Sequence, residues 1–114
     1  MTAAIKSGAG AARILGLRPE MSIAFTICAE VFRDNGSDCV ITAGIDGSHS
    51  RGSIHYKGLA VDLRAHHIPD EDRAPILDAL RKNLGDDFDV LLENDTTPNV
   101  HYHVEFDPKT PINK

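Results

Sequence analysis

Apolar positions along the chain change period several times, and each change marks an element. Met21, Ala24, Phe25, Cys28, Val31 and Phe32 recur at intervals of three and four, the mark of one helical face. Pro19 suits the first turn of that helix, Glu20 lies favourably at the positive end of its dipole, and Asn35-Gly36 ends it. Cys39–Ala43 is a short β-type run. Leu59–Arg64 alternates strictly, with Leu59, Val61 and Leu63 on one face and Ala60, Asp62 and Arg64 on the other. Ile76, Leu77, Leu80 and Leu84 form the stripe of a second helix. Pro75 leaves its start open, and Gly85 closes it. Phe88–Glu93 and Val100–Phe106 are two further strands, joined by the loop Asn94–Asn99. Gly44–Ser53 is rich in Gly and Ser and reads as loop. Residues 1–17 are small and Gly/Ala-rich, with a short helix expected over Ala11–Leu17, and the end of the chain from 107 reads as frayed. The order helix, strand, loop, strand, helix, strand, strand predicts an α+β fold: helices packed on one face of a small, largely antiparallel sheet. The 114 residues suit one domain, with 1–17 and 107–114 peripheral to it.

Composition narrows the functions. Seventeen acidic residues against twelve Lys+Arg give a net charge of −5, so the domain has no electrostatic pull on nucleic acid or an anionic membrane. Aromatic residues are 5% and Trp is absent, which removes a base-stacking platform. No run approaches the ~20 apolar residues that span a bilayer. The first residues lack the layout of a signal peptide, so synthesis in the cytoplasm without a leader is expected. Cys28 and Cys39 both sit at apolar runs and read as buried thiols rather than a disulfide framework.

The chemistry lies on the polar strand faces. On the last strand Val100, Tyr102, Val104 and Phe106 form the apolar face, and His101, His103 and Glu105 the other. On the strand before it, Asp89, Leu91 and Glu93 oppose Phe88, Val90 and Leu92. Alternation therefore lets Asp62, Glu93, His101 and His103 converge on the side of the sheet away from the helices. His55, just before the second strand, is within reach of the same place, and Gly58 permits a close backbone approach. Two imidazoles and a carboxylate suit Zn²⁺, and three protein ligands leave a fourth position for water. Glu105 reads as a solvated or hydrogen-bonded carboxylate, and His66-His67 as an exposed turn.

The run Ser53-Ile54-His55-Tyr56-Lys57-Gly58-Leu59-Ala60-Val61-Asp62 fits the pattern SxHxxGxAxD, and His101-Tyr102-His103 fits HxH. Together, in this order, they resemble the zinc peptidases of the M15 type: D-alanyl-D-alanine carboxypeptidases, dipeptidases and phage L-alanyl-D-glutamate endopeptidases. The zinc-site layout is shared with the hedgehog signalling domain. The resemblance covers roughly Val40 to Phe106. It implies that His55, Asp62 and His103 are the zinc ligands, with Glu93 as general base and His101 stabilising the oxyanion or helping to transfer the proton. His49 is a further candidate for such a role, and which of Glu93, His101 and His49 takes the proton stays open. Ser53 would support the first-ligand loop. The arginine that grips a substrate carboxylate in many carboxypeptidase members has no counterpart in Ile41–Asp46. Arg51 and Arg64 are substitutes for it that no motif places.

That departure favours an endopeptidase over a strict carboxypeptidase. The resemblance thus implies a monomeric zinc metallopeptidase that hydrolyses the stem peptide or cross-link of bacterial peptidoglycan, of the kind phages use as endolysins, made in the cytoplasm and acting on the cell wall. Two rival expectations remain: a zinc-fold binding or virion module without activity, and a carboxypeptidase or dipeptidase acting on D-Ala-D-Ala.

Overall fold

The architecture follows from where the apolar faces point. The computed structural model describes residues 3–5, 19–44 and 60–107, in the order β1 (Ala3–Ile5), α1 (Pro19–Asp34), β2 (Cys39–Ala43), β3 (Ala60–Arg64), α2 (Asp70–Leu84), β4 (Phe88–Glu93) and β5 (His101–Phe106). Among these residues the strands form one five-stranded sheet in the order β1-β2-β3-β5-β4. β1 runs parallel to β2, and every other neighbouring pair is antiparallel. This is the expected α+β class. β1 was not foreseen: three exposed residues, Ala3–Ile5, carry too short a pattern to read, and their strand state comes from pairing with Cys39–Ile41. The helix expected over Ala11–Leu17, the loop residues 45–53 and the tail from 108 lie outside the described residues.

α1 starts at Pro19 as expected, and Met21, Ala24, Cys28, Val31 and Phe32 are its buried face. Phe25 is only half-buried, at the rim of that stripe. Gly36 ends the helix at φ 76°, a backbone state that side chains resist, and Ser37 N–H returns to the Phe32 carbonyl at 2.9 Å. α2 extends further toward its N-terminus than its apolar stripe suggests. It begins at Asp70, with three acidic residues in its first turn, and carries Pro75 inside. Favourable charge at the helix start and the packing of Ile76, Leu80 and Leu84 outweigh the one backbone bond that proline removes.

Both helices lie on the face made by Ile41, Val61, Leu63, Val90, Tyr102 and Val104. Tyr102 is fully buried, stands edge-on to Phe32 at 5.7 Å between ring centres, and donates its hydroxyl to the Arg73 carbonyl at 2.7 Å. Arg73, itself buried, spends its guanidinium on Asp70, Asp95 and the Ala65 carbonyl. This ties the start of α2 to the loop between β4 and β5. β4 is an edge strand, and Arg81 donates Nε and Nη2 to its Val90 carbonyl at 3.0 and 2.8 Å, which blunts part of that edge. Cys28 and Cys39 are buried free thiols, as read from the sequence. Burial pushes the Cys28 thiol far up and the Cys39 thiol up to about 12.

A candidate metal centre on the open face of the sheet

With the core face fixed, the other face of the two central strands is determined by the pleat. The register pairs Asp62 with His103 and Arg64 with His101 across β3 and β5, and Glu93 with His101 and Leu91 with His103 across β4 and β5. Directly opposite residues share a face with Cβ atoms about 5 Å apart. The structure therefore brings together Asp62, Glu93, His101 and His103, the four that alternation predicts. His49, Arg51, Ser53 and His55 lie outside the described residues.

Asp62 sits between the two imidazoles. Its Oδ1 accepts from His103 Nδ1 at 2.9 Å, and its Oδ2 is 3.9 Å from His101 Nε2. The Asp62 side chain is 12% exposed, so few water molecules compete for its carboxylate. His103 Nε2 donates to Glu105 Oε1 at 2.7 Å. Both ring nitrogens of His103 thus face carboxylates. The bond to Asp62, helped by Glu105 and opposed by burial, raises its pKa to about 9. His101 is held differently. Its Nδ1 donates to the Asn99 carbonyl at 2.8 Å, which sets the ring orientation, and its Nε2 is 3.0 Å from Glu93 Oε1.

The donor set fits a divalent metal. One ligand atom each from Asp62, Glu93 and His101 lies within 4.8 Å of the others, a spacing an ion can bridge. The Asp62–His103 pair fits as well. Ligand atoms of a tetrahedral zinc stand roughly 3.3 Å apart at ordinary bond lengths, so this 2.9 Å pair needs only a small opening. A ligating imidazole commonly donates its other N–H to a carboxylate, and Glu105 takes that position behind His103. Asp62 is common to both sets. A second acidic group, Asp89, Glu105 and Asp107, lies nearer the far end of β4 and β5.

Two contributions escape a reading of the sequence. Asn99 orients His101 through a backbone carbonyl, which no side-chain pattern reports. Glu105, readable only as solvated or hydrogen-bonded, takes the second of those roles, on His103. The His66-His67 turn needs one correction. His66 is exposed, but His67 is half-buried and bonds the Asp38 carbonyl through Nε2 at 2.8 Å. Arg64 lies on the same face as Asp62 and lines a small cavity with His101.

Compared with known proteins, the chain matches no family model, no curated protein and no solved structure. No described helix is long and apolar enough to cross a membrane.

Proposed function

We propose that this chain is a zinc-dependent peptidase acting on the peptide part of bacterial peptidoglycan, as an endopeptidase in preference to a carboxypeptidase. The observation that carries the reading is the convergence of Asp62, Glu93, His101 and His103 on one sheet face; Asp62 closes the SxHxxGxAxD run, and His101 and His103 are the HxH pair. Asp62 and His103 would hold the ion, with His55 completing the set, and Glu105 would orient His103. A bound zinc supplies a Lewis acid and lowers the pKa of its water toward ~7.

The side chains then divide the remaining work. Glu93 is 44% exposed at its side chain, open to a substrate, and its Oε1 is the nearest carboxylate to His101 Nε2. It takes the proton from the attacking water and passes it to the leaving amine. His101, braced by Asn99, presents Nε2 beside Glu93 and donates to the developing oxyanion. Exposed Leu91, two residues from Glu93 on the same face, gives the substrate chain an apolar edge to lie against.

The test combines metal content with release of soluble fragments from purified peptidoglycan, before and after chelation. One equivalent of zinc with chelator-sensitive release is expected, and the fragment masses name the bond. Glu93→Gln should remove at least a hundredfold of the activity, the scale of a lost acid–base group, while zinc stays bound. Zinc without release would instead support a binding module, and no zinc uptake would end the metal reading.

A further inference from the structure

The loop that leaves β4 after Glu93 enters β5 at His101, and its backbone is strained. Asn94 has φ 55° and Thr96 φ 69°, the only left-handed residues other than glycine among those described. A β-branched side chain resists that state, so neighbouring bonds must hold Thr96 there. Asp95 supplies one, accepting the Thr96 N–H on Oδ1 at 2.9 Å. The same oxygen is 3.3 Å from Nη1 of buried Arg73, which also holds Asp70 and the Ala65 carbonyl. The loop is therefore anchored to α2, and its shape is imposed on it from outside.

Inside this loop the Thr97 hydroxyl is used twice. It donates to the Asn94 carbonyl at 2.7 Å and accepts the Asn99 N–H at 3.1 Å. Asn94 is the residue after Glu93. Asn99 is the residue whose carbonyl accepts from His101 Nδ1 at 2.8 Å. One hydroxyl thus ties the exit from Glu93 to the support of His101. Thr97 is exposed, so packing does not explain its place. The consequence is chemical. A proton held on Nδ1 by Asn99 leaves Nε2 facing Glu93 Oε1 at 3.0 Å and Asp62 Oδ2 at 3.9 Å. An imidazole without that partner can carry its proton on either nitrogen.

We infer that Thr97 is a positioning residue for the site: its hydroxyl fixes the β4–β5 loop so that Asn99 keeps a proton on His101 Nδ1 and Nε2 stands at Glu93. That His101 then serves hydrolysis rests on the proposed peptidase reading; the tie between Thr97 and the His101 ring rests on the loop bonds alone.

The test compares the full chain as wild type, Thr97→Val and Thr97→Ser. Nitrogen NMR of the imidazole rings at pH 8, above the ordinary histidine pKa, reads which His101 nitrogen carries a proton. Release of fragments from purified peptidoglycan reads kcat and KM separately. In the wild type Nδ1 should carry a proton. Thr97→Val keeps the shape and removes the hydroxyl. It should shift the proton toward Nε2 and lower kcat about tenfold with KM within about twofold, the scale of a group misplaced rather than lost. Thr97→Ser, which keeps the hydroxyl, should restore both. Wild-type ring signals in Thr97→Val overturn the inference, even if its urea midpoint falls, because the hydroxyl would then support the loop alone. A wild-type His101 protonated only on Nε2 overturns it as well, and decides the matter if a variant fails to fold. No cleavage by the wild type removes the peptidase reading and leaves the ring comparison standing, whereas cleavage with the same ring signals in all three chains does the reverse.

Discussion

His103 turns its Nε2 to Glu105, its second neighbour along β5, at 2.7 Å. The pleat puts both side chains on one face, and the contact leaves Nδ1 directed at Asp62. A histidine that must offer one particular nitrogen to an ion needs its other nitrogen occupied. Under the proposed metal reading, Glu105 would fill that role for His103.

Glu105→Ala should accordingly weaken zinc binding by about 10- to 100-fold, the usual effect of losing a carboxylate behind a metal-bound imidazole. Glu105→Gln, which keeps an acceptor oxygen, should lose less. Competition against a chromogenic chelator measures both. Equal affinity in wild type and Glu105→Ala would assign Glu105 to the surface charge alone.

Tyr102 joins the centre of the sheet to the first turns of α2 through its hydroxyl and the Arg73 carbonyl. Burial raises the phenol pKa, so the hydroxyl stays a donor throughout the neutral range. Tyr102→Phe keeps the ring against Phe32 and deletes only the bond. The expected loss is about 1–2 kcal/mol, read from the urea midpoint. A loss near zero would mean that the ring alone holds α2.

His67 gives the fold a dependence on pH. Burial lowers its pKa below the ordinary 6.5, against the bond to Asp38. Its Nε2 meets the Asp38 carbonyl while Nδ1 is shielded with no partner, so protonation would bury an unsatisfied N–H. The folded state therefore binds the proton more weakly than the unfolded chain. The stability this group contributes is complete above pH ~6.5 and is lost as the pH falls through the lower folded value. Below pH 6.5 the wild-type chain should lose stability relative to His67→Gln, whereas between pH 8 and pH 6.5, where His103 with its raised pKa adds stability as it gains its proton, the two should run parallel. An unchanged slope in the variant would assign the decline to other groups.

Cys28 and Cys39 should resist thiol reagents while the chain is folded, since burial keeps both thiols from ionising. Two equivalents should react once denaturant is added. Fast labelling of the native protein would show that α1 opens away from β2.

Much of this molecule is determined by local pattern. Period-two alternation in Phe88–Glu93 and in Val100–Phe106 defines two strands nearly to the residue, because one face is buried and a slip by one position would expose it. The same parity puts Asp62, Glu93, His101 and His103 on one side before any fold is known. Spacing of three and four does the same for α1, and Gly36 marks its end. What the tertiary structure alone decides is pairing and contact. β1 exists as a strand only through β2, since Ala3–Ile5 has no pattern of its own. The start of α2 at Asp70 depends on Arg73 and its partners across the chain, not on the apolar stripe. Register sets His103 opposite Asp62 and His101 opposite both Arg64 and Glu93, and those pairings depend on how separate strands align. Sequence spacing says which residues share a face. Only the packed sheet says which of them touch, because contact depends on distances between strands that no local interaction encodes.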